Sequence, residues 1–133
     1  MRTILAAAVL AAGLSGTALA DGGMSVQLPN TSGLGRAEAE ALLAQLAQVN
    51  VITSNCPAHA VTDGEWTLIT GTGDRLAAQL GLDAATYDRN YYAPAFQLLD
   101  NPASCDRIGP QARPLIARLK SMGGGTTPLA RSQ

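Results

Sequence analysis

The chain contains few of the residues on which most enzymes and nucleic-acid-binding proteins depend. Its 133 residues include one His and two Cys, aromatic residues make up 4%, and charged residues make up 14%. The formal net charge is −1. A near-neutral chain lacks the basic surface that a dedicated nucleic-acid-binding domain presents to phosphate groups. The composition therefore predicts no nucleic-acid partner.

Several motifs with known chemistry are also absent. The chain has no Cys-x-x-Cys pair, which excludes a thioredoxin-type redox motif, and no Cys-x-x-Cys-His, which excludes covalent haem attachment. Residues 71–74, Gly-Thr-Gly-Asp, lack both the Lys-Ser/Thr ending of a P-loop and the third Gly of a dinucleotide fingerprint. We therefore expect no cofactor.

The N-terminus has the three parts of a secretory signal peptide. Arg2 provides the positive start, residues 4–14 are apolar, and residues 18–20 (Ala-Leu-Ala) fit the small-x-small site of a signal peptidase. The apolar run is shorter than the roughly 20 residues of a membrane span, and no later segment approaches that length. We therefore expect cleavage after Ala20, no membrane span, and a periplasmic location.

Export decides how the two cysteines are interpreted. Cys56 and Cys105 lie 49 positions apart, and an oxidising compartment favours a disulfide between them. The alternative is a functional thiol, because Cys56, His59 and Asp63 are close enough in sequence to form a nucleophile–base pair or to ligate a metal. A disulfide removes the thiolate that both roles need. We therefore predict no metal site, and His59 is only a weak candidate for a metal ligand.

Composition divides the chain into four parts. We expect a signal peptide in residues 1–20, a flexible leader in 21–34, a helical domain in 35–123 and a disordered tail in 124–133. The leader contains Gly, Pro, Asn, Ser and Thr and shows no regular apolar period, and the tail begins with a run of Gly and Thr residues. Removal of the signal peptide leaves one domain's worth of chain.

The domain contains four segments with helical apolar periodicity and no run typical of strands. The first spans 36–53, and the second begins at a Thr62-x-x-Glu65 capping box and ends before Gly81. The third spans 84–100. The fourth begins near 109–110 and ends at 123. The expected fold is all-α, a small irregular bundle of about four helices with one disulfide.

The third segment contains a proline. Pro94 has no backbone N–H to donate, and its ring clashes with the preceding turn of a regular helix. We expect a kink or break near residues 90–93.

Every aromatic residue of the chain falls in two of these segments, and four of the five lie within ten positions. They are Trp66, Tyr87, Tyr91, Tyr92 and Phe96. Tyr and Trp combine a large apolar body with a polar tip, which favours them at binding surfaces. Three tyrosines on one helix do not easily all face the core, so we expect Tyr92 to be exposed. The alternative is that the aromatic residues simply fill the core.

The end of the chain is basic. No acidic residue follows Asp106, whereas five basic residues do: Arg107, Arg113, Arg118, Lys120 and Arg131. This charge could steer docking onto an acidic protein or lipid surface, or it could form an ordinary solvated face.

These features predict a non-enzymatic binding or accessory factor of the periplasm, with a protein or a small apolar ligand as its partner. Two alternatives remain: a ligand carrier with a groove beneath Tyr87 and Tyr91, and a small enzyme or metal-binding protein centred on His59. The layout of signal peptide, small helical domain and single bridge is similar to that of periplasmic acid-stress chaperones. The resemblance rests on no motif, so it carries over no residue.

Overall fold

The computed structural model describes residues 23–130, and the predicted signal peptide lies outside them. The described residues form six α-helices: α1 Arg36–Asn55, α2 Asp63–Gln79, α3 Ala84–Tyr87, α4 Ala93–Gln97, α5 Ser104–Ile108 and α6 Ala112–Ser121. A π turn joins α3 to α4 and a 3₁₀ turn joins α5 to α6, so the six form four continuous helical segments. The prediction of a small, irregular all-α bundle is confirmed.

The first helix is the centre of the bundle. It contacts α2 along one side, and α4, α5 and the π turn on others. Its buried residues therefore extend beyond a single stripe: they are Ala39, Leu42, Leu43, Leu46, Ala47, Val49, Val51, Ile52 and Thr53. Ala47 and Val51 form a separate small cluster with Ala95 of α4. The main core lies on the other side, where α1 packs with α2 and α6.

The second helix begins as its sequence predicts. The hydroxyl of Thr62 accepts a hydrogen bond from the backbone N–H of Glu65 (3.2 Å), and a carboxylate oxygen of Glu65 accepts one from the N–H of Thr62 (2.9 Å). The capping box is therefore complete. At the other end, Gly81 has a φ of 69°, the left-handed conformation that favours glycine after a helix.

The proline of the third segment does not break the helix. Residues Asp88–Tyr92 form a π turn, and the N–H of Ala93 donates to the carbonyl of Asp88, five residues earlier. The wider turn accommodates Pro94, which cannot donate a hydrogen bond and would crowd the preceding carbonyl in a regular helix. The irregularity predicted near residues 90–93 is present, but as a change of helical pitch.

The segment expected to be a flexible leader is packed against the bundle. Val26 and Thr31 are buried, and Met24 and Leu28 also contact the core. The hydroxyl of Thr31 donates to the side-chain carbonyl of Gln79 on α2 (2.8 Å), whose amide nitrogen donates back to the Thr31 carbonyl (3.1 Å). The physical reason is the two-residue apolar alternation over 24–28, which suits an extended segment lying on a core.

The tail also differs from the disordered segment expected, as far as residue 130. It runs antiparallel to the leader: Gly125 N–H donates to the Gln27 carbonyl and Leu129 N–H to the Ser25 carbonyl, both at 2.8 Å. A Cβ atom at Gly64 of α2 would overlap the carbonyl of Thr126, so this glycine lets the tail approach α2. The described parts of the leader and the tail therefore pack on the bundle together.

The predicted disulfide is present. Cys56 and Cys105 are bonded, with Cα atoms 5.8 Å apart. Cys105 lies within α5, between the third and fourth segments predicted from the sequence. None of the helices in residues 23–130 is long and apolar enough to cross a membrane.

Loss of the disulfide should destabilise the domain. The bridge closes a loop between residues 49 positions apart, for which the chain-entropy account gives about 4 kcal/mol. We expect the double variant Cys56→Ser/Cys105→Ser to lose roughly 2–4 kcal/mol of unfolding free energy in urea denaturation. Wild type treated with reductant should match the variant. Equal denaturation midpoints for oxidised and reduced wild type would contradict the prediction.

Packing of the tail on α2 gives a second test. In Gly64→Ala the new methyl group would force the Thr126 carbonyl away, at a cost of roughly 1–3 kcal/mol. Amide hydrogen exchange at Gly125 and Leu129 should also accelerate. The matched control is Gly33→Ala, since nothing lies within 4 Å of a Cβ atom at that position. Equal stability of the two variants would exclude the contact.

Candidate functional site

Two large aromatic side chains are exposed on two helices that both pack on α1. Trp66 lies in the first turn of α2 and is 47% exposed, and Phe96 lies on α4 and is 52% exposed. The ring of Tyr92, at the end of the π turn, lies 6.4 Å from that of Phe96. We call Trp66, Tyr92 and Phe96 the aromatic platform.

One polar side chain of the central helix joins the platform across α1. The indole N–H of Trp66 donates to Asn50 Oδ1 (3.1 Å), and Asn50 Nδ2 donates to the Tyr92 hydroxyl oxygen (2.9 Å). Ser54 donates a further hydrogen bond to Asn50 Oδ1 (3.2 Å). An indole N–H can only donate, so this contact fixes the orientation of the amide. Asn50 thus fixes two rings from different helical segments.

The ring of Tyr87 contacts the rings of the other two tyrosines. The ring of Tyr92 meets that of Tyr87 edge to face, with centroids 5.2 Å apart, and Tyr87 lies 6.0 Å from Tyr91. Tyr92 is therefore half-buried, whereas the sequence predicted it to be exposed. The reason is its double attachment, by its hydroxyl to Asn50 and by its ring to Tyr87. The structure does bring all five predicted aromatic residues into one region, with Trp66 and Phe96 outermost.

The innermost tyrosine lies against α2. The Tyr87 hydroxyl is buried and makes no hydrogen bond to the described residues. A Cβ atom at Gly73 would lie 2.7 Å from this hydroxyl, so α2 packs closely against the tip of the Tyr87 side chain. Burial raises the pKa of Tyr87 above its usual range, and the nearby Tyr92 adds to the effect. The ring therefore supports the platform as a neutral packing group.

A second region lies where the α1–α2 connection and the start of α2 meet α5 and the start of α6. Three ties join these segments: the disulfide Cys56–Cys105, the pair His59–Asp106 and the pair Glu65–Arg113. The pairs are 49, 47 and 48 positions apart. We call this region the junction. Because the three pairs have nearly the same sequence separation, the start of α2 lies beside the start of α6.

A pocket of about 380 Å³ opens between the two segments of the junction. Small residues such as Ala58, Gly109 and Ala112 line it, together with the polar side chains of His59 and Arg113. The imidazole of His59 packs directly on Gly109, where a Cβ atom would overlap the ring. The pocket is therefore bounded by groups that already have protein partners.

The carboxylate in this pocket is strongly held as an anion. Both oxygens of Glu65 accept hydrogen bonds from Arg113, one of them at 2.9 Å, and the Thr62 N–H adds another. These contacts lower the pKa of Glu65 to about 2, and the hydrogen bond from Arg113 makes the largest contribution. Burial opposes this shift. Such a carboxylate is poorly suited to general acid–base chemistry near neutral pH.

The constellation suggested around His59 is not assembled. Cys56 is in the disulfide, and His59 Nε2 lies 3.0 Å from Asp106 Oδ1. Asp106 was not connected with His59 in the sequence analysis. Within residues 23–130, no group of three or more His, Cys, Asp or Glu could hold a metal ion. Sequence proximity alone could not reveal Asp106, because it lies 47 positions away.

The basic residues that follow Asp106 differ in whether they pair within the bundle. Arg113 is paired with Glu65, whereas Arg107, Arg118 and Lys120 are exposed. On α6 these basic side chains alternate with the buried residues Ala112, Leu115, Ile116 and Leu119. Arg131 lies outside the described residues.

Comparisons of the chain with protein-family models, with curated proteins and with solved structures gave no match.

Acid should weaken the junction through Glu65. Its folded-state pKa is about 2 and its ordinary value is 4.5. Because the folded-state pKa is lowered, the stabilisation is complete above about pH 4.5 and is lost as the pH falls toward 2. Arg113 is well exposed, so screening limits the contribution to roughly 1–3 kcal/mol. In Arg113→Ala, the acid-induced loss of unfolding free energy should shrink by that amount.

Urea denaturation at about pH 5 and about pH 2.5 measures this loss for each variant. The matched control is Arg118→Ala, which removes an exposed arginine from the same helix. It should retain the acid sensitivity of wild type. The same sensitivity in Arg113→Ala would mean that the Glu65–Arg113 pair does not set the pKa of the carboxyl group.

Proposed function

We propose that this protein is a non-enzymatic binding factor of the periplasm and that the aromatic platform docks a partner protein. The observation that carries the proposal is the pair of exposed rings, Trp66 and Phe96, joined through Asn50 and Tyr92. Large aromatic side chains dominate the binding energy of many protein interfaces when they are buried by a partner.

Core packing accounts poorly for this arrangement. The bundle has a buried core of Leu, Ile, Val and Ala, and neither Trp66 nor Phe96 belongs to it. The side-chain amide of Asn50, which lies within α1, makes hydrogen bonds to both Trp66 and Tyr92. Rings that are already fixed lose little conformational entropy when a partner binds, which favours binding.

The condition of the junction favours binding over catalysis. Its cysteines are oxidised, and the polar groups of Glu65 and His59 are engaged by Arg113 and Asp106. These contacts suit a structural role, in which the junction holds α2 and α6 in place. A disulfide is also compatible with export into an oxidising compartment, as the N-terminal sequence predicts. A small-ligand carrier is less favoured, because the Tyr87 hydroxyl is buried against Gly73 of α2.

Site-specific photo-cross-linking in living cells tests the proposal. A photoreactive amino acid replaces Phe96 in one variant and Leu129 in the other. Leu129 is 47% exposed, similar to Phe96, but lies on the tail. We expect a discrete adduct from position 96 that depends on Trp66, so that a second substitution, Trp66→Ala, reduces its yield at least about fivefold, equivalent to roughly 1 kcal/mol.

The same adduct in similar yield from position 129 would contradict the proposal, as would the absence of any adduct from position 96. Fractionation of the cells reports the location in the same experiment. Recovery of the mature protein in the cytoplasmic fraction alone would refute the periplasmic assignment.

A further inference from the structure

We draw no further inference here: the strongest candidate, the pocket of the junction between the starts of α2 and α6, is lined by the side chains of His59, Glu65 and Arg113, which are already paired within the described residues, so nothing in the structure shows what would occupy it.

Discussion

Burial of α1 on nearly every side is the constraint on which the structure depends. α1 is the longest of the helices in residues 23–130, and α2, α4 and α5 all pack on it. One polar side chain of α1, that of Asn50, lies between Trp66 of α2 and Tyr92 of the π turn. The platform therefore exists because two helical segments meet across the same helix.

The junction and the aromatic platform lie at different places in the same helical bundle. Three ties hold the α1–α2 connection and the start of α2 to α5 and the start of α6. They are a disulfide, a His–Asp pair, and a buried carboxylate with its arginine. Small domains bury limited apolar area, so such ties supply stability that the core alone cannot. With the bundle fixed in this way, exposed rings on α2 and α4 can remain at the surface without being needed in the core.

Much of the fold was predictable because its signals are local. Apolar periodicity identified the helical segments, and the Thr62–Glu65 box marked where α2 begins. Pro94 correctly located the irregularity, although the π turn that accommodates it was not foreseen. The packing of the leader and the tail was not predictable in the same way, because it depends on backbone hydrogen bonds between segments that are far apart in sequence. The alternation over residues 24–28 was the one local clue.

The site was predictable in membership but not in arrangement. Composition and spacing alone determined which residues are aromatic, where they cluster and which cysteines pair in an oxidising compartment. Only the tertiary structure decided that Trp66 and Phe96 are outermost, that Tyr92 is half-buried, and that Asn50 joins them. The physical reason is range. Helix formation depends on neighbours within one or two turns, whereas exposure depends on which distant segment covers a side chain, and that is settled only when all segments pack on α1.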